Sequence, residues 1–151
     1  MEQSEETTAR FAIDVAGIEN SGRSFEAMVE QRLCAAARRR LGDLGEEQPP
    51  LERASSGAAK LATQRAPFRS LELIQRFCAD DVDYLRPDLP ILEACFRLFL
   101  LNGNTPLTIA QLREELEHWP SFADRVRPLS DAQLIDMLTR DRYYGIRRVS
   151  E

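Results

Sequence analysis

The stretch Ile91-Leu92-Glu93-Ala94-Cys95-Phe96-Arg97-Leu98-Phe99-Leu100-Leu101 decides how this chain folds. All of it except Glu93 and Arg97 is apolar, and the apolar residues go nearly all round a helix. A helix of that kind has no solvent face, so it predicts a central element covered on every side. Asn102-Gly103-Asn104 closes it with residues that tolerate left-handed dihedrals. Upstream, Leu71, Ile74, Phe77, Cys78, Val82 and Leu85 share one face and predict a helix opened by Ser70. Pro87 ends it, because the proline ring disfavours helical geometry at Arg86. Asp88 is then the expected cap of the central helix, with Pro90 tolerated in the first turn.

Two capping boxes follow. Thr108-Ile109-Ala110-Gln111 and Ser130-Asp131-Ala132-Gln133 each place a hydroxyl residue three positions before a glutamine, so two orphan amides are satisfied reciprocally. The first predicts a helix with Ile109, Leu112, Leu116 and Trp119 inward. The second predicts one reaching about Arg142, with Leu134, Met137 and Leu138 inward. Pro120 to Leu129 reads as a turn that tucks Phe122 and Val126 into the core. After Gly145, Ile146-Arg147-Arg148-Val149 alternates enough for a terminal strand.

Toward the N-terminus the pattern weakens. Residues 1–23 hold five acids and two arginines. Phe11, Ile13, Val15 and Ile18 suit either a short strand or a frayed arm. From Ser24 to Leu41 one amphipathic helix is expected, with Phe25, Val29 and Leu33 on its apolar stripe. Arg38-Arg39-Arg40 would fill its last turn, where cations favour the negative end of the dipole, and Gly42 would stop it. Residues 44–66 are rich in Gly, Pro and Ser and read as a flexible linker, with room for one short helix from Ala58 to Gln64. Three parts result: an arm and helix over 1–43, the linker, and a folding unit over 67–151. The fold class is mainly α, a compact helical bundle with a minimal β element.

Composition narrows the function. The 151 residues carry 20 basic and 25 acidic side chains, a net charge of −5, which argues against holding nucleic acid or anionic membrane by bulk charge. All basic residues but Lys60 are arginine, spread along the chain. No apolar run approaches the ~20 residues of a membrane span. The acidic start lacks the order of a signal peptide, and Cys34, Cys78 and Cys95 read as scattered, buried hydrophobes of a reducing compartment, so a cytoplasmic location is expected.

Catalytic signatures are weak. His118 stands near Glu114, Glu115 and Glu117 without a second histidine or a cysteine at ligand spacing, and reads as a surface residue. Asp80-Asp81-Val82-Asp83 lacks the glycine and later glutamate of a calcium loop and reads as a solvated helix face. No phosphate loop, nucleophile elbow or HExxH motif occurs. No enzyme activity, cofactor or metal is expected. For Tyr143-Tyr144-Gly145, one reading has the aromatics stack on a base or line a partner groove. The other has Tyr143 close the core and Tyr144 half exposed.

The order of a buried helix, Pro106-Leu107-Thr108, two capped helices and a β-like tail resembles the winged-helix variant of helix-turn-helix domains over about residues 88–151. The resemblance implies that Ser130 to Arg142 is the recognition helix; that family follows it with a β-hairpin wing, for which the residues after Gly145 offer one strand. The Trp119–Ser130 connection is longer than that family's tight turn. The implied reading face offers Asp131, Gln133, Asp136, Thr139, Arg140 and Asp141, and its carboxylates would repel phosphodiesters. The leading expectation is therefore a non-catalytic protein-interaction or regulatory module with a protein partner or a second copy of the chain, and no membrane. Its docking helix would present Phe25, Val29 and Leu33. The alternative is a DNA-binding transcriptional regulator. Candidate contacts for either are Gln133, Asp136, Arg140, Arg142, Tyr144, Arg147 and Arg148.

Overall fold

The computed structural model describes residues 9–47 and 69–149. The chain begins with β1 (Arg10–Ile13), α1 (Val15–Asn20), α2 (Phe25–Glu30) and α3 (Ala35–Glu47). Next come α4 (Arg69–Phe77), α5 (Ile91–Leu101), β2 (Leu107–Thr108) and α6 (Ile109–His118). The last elements are α7 (Pro120–Val126), α8 (Asp131–Arg140) and β3 (Ile146–Arg148). The protein is thus mainly helical with one small antiparallel sheet, ordered β2-β1-β3.

The helix α5 is central, as its sequence requires. Ala94, Cys95, Phe96, Phe99 and Leu100 are wholly buried. Asn102 follows as its C-cap, and Gly103 and Asn104 take positive φ. Asn104 then does more than end a helix. Its amide nitrogen donates to Ile13 O (2.9 Å) and its Oδ1 accepts from Ile13 N (2.8 Å), so one side chain grips the backbone of β1.

The first strand is the middle of the sheet. Phe11 stands opposite Leu107 on one side and Arg148 on the other, and Ile13 opposite Ile146. Asp14 N donates to Gly145 O (2.7 Å) and Val149 N to Arg10 O (2.8 Å), which extends the pairing beyond both ends of β3. Gly145 has φ +72°, and a Cβ there would lie 2.7 Å from Ile18 Cγ1, so only glycine lets the tail pass α1.

The described residues of 1–43 and 67–151, expected as separate parts, pack around one core. Phe11, Ile13, Ile18, Phe25, Val29 and Leu33 belong to the same hydrophobic core as α5, α6 and α8. A strand hydrogen-bonded on both edges cannot be an arm. Residues 44–47 are the end of α3. The rest of the expected linker, including the short helix from Ala58 to Gln64, lies outside the described residues.

Four local expectations change as well. The single helix over 24–41 is two, α2 and α3, with Ser24 capping the first through Ala27 N (3.1 Å). The break frees carbonyls of Gln31 and Leu33, and the Arg38 guanidinium takes both (3.1 and 3.2 Å). The arginine triplet therefore lies in the first half of α3, and the helix runs through Gly42. The helix from Ser70 ends at Phe77, where Asp81 draws the chain into turns by accepting from Asp83 N (3.0 Å). These turns bury Tyr84, Leu85 and Leu89 but leave Val82 79% exposed, so the acidic run is a loop rather than a helix face. Pro90, not Asp88, occupies the N-cap of α5, without a side-chain hydrogen bond.

Pro120 to Val126 forms α7, with proline at its first position, where no N–H is needed; Phe122 and Val126 are buried as expected. Both capping boxes are formed, and α8 ends at Arg140. Arg113 on α6 locks the α7–α8 connection by donating to Val126 O (3.0 Å), Leu129 O (2.6 Å) and Asp131.

If β1 belongs to the core, Phe11→Ala lowers the unfolding free energy by about 3–5 kcal/mol. Urea denaturation reads this directly, and a loss below about 1 kcal/mol would mark β1 as detachable.

Candidate functional site

Two buried carboxylates organise the chain, one at the C-terminal turn and one on α5. Asp141, 5% exposed, directly follows α8. Its Oδ1 accepts from Tyr143 N and Tyr144 N (both 2.9 Å), and its Oδ2 accepts from Ile146 N (3.0 Å). Three amides gathered on one side chain fold the chain back, so β3 runs beside α8. Between them lies a groove of about 500 Å³ lined by Phe11, Ile135, Leu138, Thr139, Ile146, Arg147 and Arg148. Its lining is apolar apart from Thr139 and two arginines.

The edge of β3 that faces away from β1 is partly blocked. Ile146 N is held by Asp141, and Ile146 O accepts from the Arg147 guanidinium (2.7 Å), which also donates to Asp141 O (2.9 Å). An incoming strand would find those groups occupied, so the groove suits inserted side chains better than an added strand.

Glu93 is the other buried carboxylate. Arg32 donates to it twice, through Nε to Oε2 (2.7 Å) and through Nη2 to Oε1 (3.0 Å); Arg97 Nε adds a third bond at 2.9 Å. The Arg32 guanidinium lies over the Phe96 ring at 4.8 Å and donates to Met28 O (2.8 Å). Burial alone would raise the carboxyl, but the hydrogen bonds and charges of both arginines outweigh it and hold Glu93 below its ordinary value. Burial opposes the Arg32 charge too, yet Glu93 leaves its pKa raised. Tyr144, packed against Phe96 with centroids 5.4 Å apart, is pushed up to about 12, chiefly by burial.

Of the candidate contacts, Arg147 and Arg148 meet at the groove. Arg142 is exposed nearby in sequence. Gln133 is used by its capping box, with Oε1 accepting from Ser130 N (2.7 Å). Asp136 and Arg140 pair with each other at 3.1 Å. The two tyrosines exchange the roles expected of them: Tyr144 closes the core, and Tyr143 is 50% exposed beneath the Arg23 guanidinium. Phe25, Val29 and Leu33 cannot dock a partner, because they are buried in this chain's own core.

The carboxylates expected to stud α8 are largely neutralised. Asp131 pairs with Arg113 (2.9 Å), Asp136 with Arg140, and Asp141 is inside. The sequence reading missed Phe11, Ile135, Leu138, Thr139 and Ile146 as groove lining. Ile135 carried a signal, since it directly follows Leu134 and stands off the inward Leu134–Leu138 stripe. Phe11 carried none, because nothing local links residue 11 to residue 146.

Elsewhere, His118 is exposed beside a shallow depression of about 200 Å³ lined by Leu98, Leu101, Glu115, Trp119 and neighbours. Among the described residues no group of three His, Cys, Asp or Glu could hold a metal ion, and no helix is long and apolar enough to cross a membrane. Cys34 and Cys78, far apart in sequence, place their sulfurs 2.8 Å apart.

A native carboxyl that titrates below its unfolded counterpart adds stability fully present above the unfolded value of about 4.3. That stability is lost as the pH falls through the lower native value. Glu93→Gln therefore costs about 3–5 kcal/mol at neutral pH, by leaving Arg32 and Arg97 uncompensated. It also flattens the decline in stability below about pH 4. Urea denaturation of both proteins across pH measures this, and parallel profiles would contradict it. Comparison with protein-family models, curated proteins and solved structures finds no match to this chain, so the functional reading rests on the geometry above.

Proposed function

We propose that this chain is a non-catalytic protein-interaction or regulatory module of winged-helix-like build. Its binding site is the groove between α8 and β3, and its partner offers a short segment with large apolar side chains followed by carboxylates. The observation that carries this reading is the groove itself: Ile135 is its partly exposed apolar wall, above a floor of the buried Leu138 and Ile146, with Arg147 and Arg148 among its lining residues. Apolar side chains gain by leaving water there, and a carboxylate beside a guanidinium gains a charge-assisted bond. The winged-helix likeness is supported by the order β2-α6-α7-α8-β3. In it, β1 fills the place beside β3 that the second strand of a wing hairpin would take.

A DNA-binding regulator, with α8 in the major groove, is the second reading. The pairing of Asp131 and Asp136 removes part of the repulsion that counts against it. The supply of cations still disfavours it. Arg140 answers Asp136 and Arg147 answers backbone carbonyls, which leaves Arg142 and Arg148 as the exposed contacts of the tail. Duplex affinity scales with the number of phosphates neutralised, and two are few.

The readings separate in one experiment. Selection from a random peptide library on the purified chain should enrich peptides that combine apolar residues with Asp or Glu. Ile135→Arg, or Arg148→Glu, should weaken the enriched peptides at least about tenfold, roughly 1.4 kcal/mol. Their thermal unfolding should stay near that of the unmodified chain. Peptides without acidic residues, or indifference to these substitutions, would overturn the proposal. Steeply salt-dependent binding of duplex DNA would favour the second reading instead.

A further inference from the structure

We propose that Cys34 and Cys78 are an oxidisable dithiol, a modification site that a small-molecule disulfide such as oxidised glutathione converts into an intramolecular disulfide. Cys34 precedes α3 and Cys78 follows α4, two helices packed on each other. The Cys78 thiol donates to Cys34 Sγ across 2.8 Å, and Cys34 N donates to Cys78 Sγ at 3.3 Å. A disulfide bond is about 2.05 Å long, so closure needs a shift of under about 1 Å. The two positions differ in access: Cys34 is partly exposed, Cys78 is buried, and Cys95 lies inside α5.

Access sets the order of events. The Cys34 thiol loses its proton, and its sulfur attacks one sulfur of the oxidant. A protein–glutathione bond forms, the oxidant's S–S bond breaks, and one glutathione thiolate leaves and takes up a proton. Cys78 Sγ then gives up its proton and attacks Cys34 Sγ, which releases the second glutathione as its thiol. Two protein thiols are oxidised and one small disulfide is reduced to two thiols. Burial, with the hydrogen bond to Cys34, pushes the Cys78 thiol up to about 12, so it stays protonated and serves as the second sulfur rather than the first. Burial pushes Cys95 up to about 12 too, and it is enclosed within α5, so it is the internal control.

The bond would join positions 44 residues apart and staple the α2–α3 break, two residues from Arg32, onto α4. Oxidation thereby steadies the segment that delivers Arg32 to Glu93.

The test uses the full reduced chain, equilibrated with oxidised glutathione. Intact mass should fall by two hydrogens, and a non-reducing peptide map should link Cys34 to Cys78 while Cys95 stays free. The Tm should rise by about 5–10 °C and return on reduction. In Cys78→Ser one glutathione should remain attached at Cys34, and Cys34→Ser should acquire none at position 78. Persisting free thiols, a glutathione adduct that never closes in the unsubstituted chain, a bond to Cys95, or a disulfide that leaves Tm unchanged or lower would each overturn the proposal.

Discussion

One buried carboxylate organises the molecule. Glu93 sits on the helix that has no solvent face, in a place where an unpaired charge could not persist. Arg97, one turn along, supplies one cation, and the other comes from Arg32, sixty-one residues earlier in the chain. To bring Arg32 there, the helix expected over 24–41 must stop, turn and restart, and Arg38 satisfies the carbonyls that the break exposes. The N-terminal segment is thereby bound to the centre of the fold twice, through this ionic clamp and through β1 in the middle of the sheet. An apolar pair in place of the clamp could be as stable, so its distinctive contribution is to fix where the break falls.

The same logic recurs at the other end on a smaller scale. Asp141 collects three amides, turns the chain back along α8, and so creates the groove. Both carboxylates are engaged by the groups they hold in place, and the candidate site is a shaped recess beside two arginines. The recess also depends on the N-terminus, since Phe11 from β1 lines it. Fold and site are therefore not separable into an arm and a binding domain.

Much of the fold was legible because it is local. The all-round apolar pattern of 91–101, the two capping boxes and the alternation after Gly145 each report on a few neighbouring residues, and each predicted element formed. The failures are non-local. Phe25, Val29 and Leu33 make an amphipathic stripe whether it packs on this chain or on another, and periodicity does not say which. Val82 fitted a helical face that Asp81 unmade by offering the backbone a turn hydrogen bond. Asp141 read as a surface charge because the amides it binds come after it, in a turn that it creates. The sulfurs of Cys34 and Cys78 meet only once α3 has packed on α4.

A single cooperative fold requires that the N-terminal strand share the stability of the central helix. Native-state amide hydrogen exchange measures this most directly, because it assigns an opening free energy to each backbone N–H. The amides of Phe11, Ala12 and Ile13 should exchange only through the global opening that exposes Phe96 and Phe99, with the same free energy and the same denaturant dependence. Exchange of the β1 amides through a separate, low-energy opening, while α5 stays protected, would contradict a single cooperative fold.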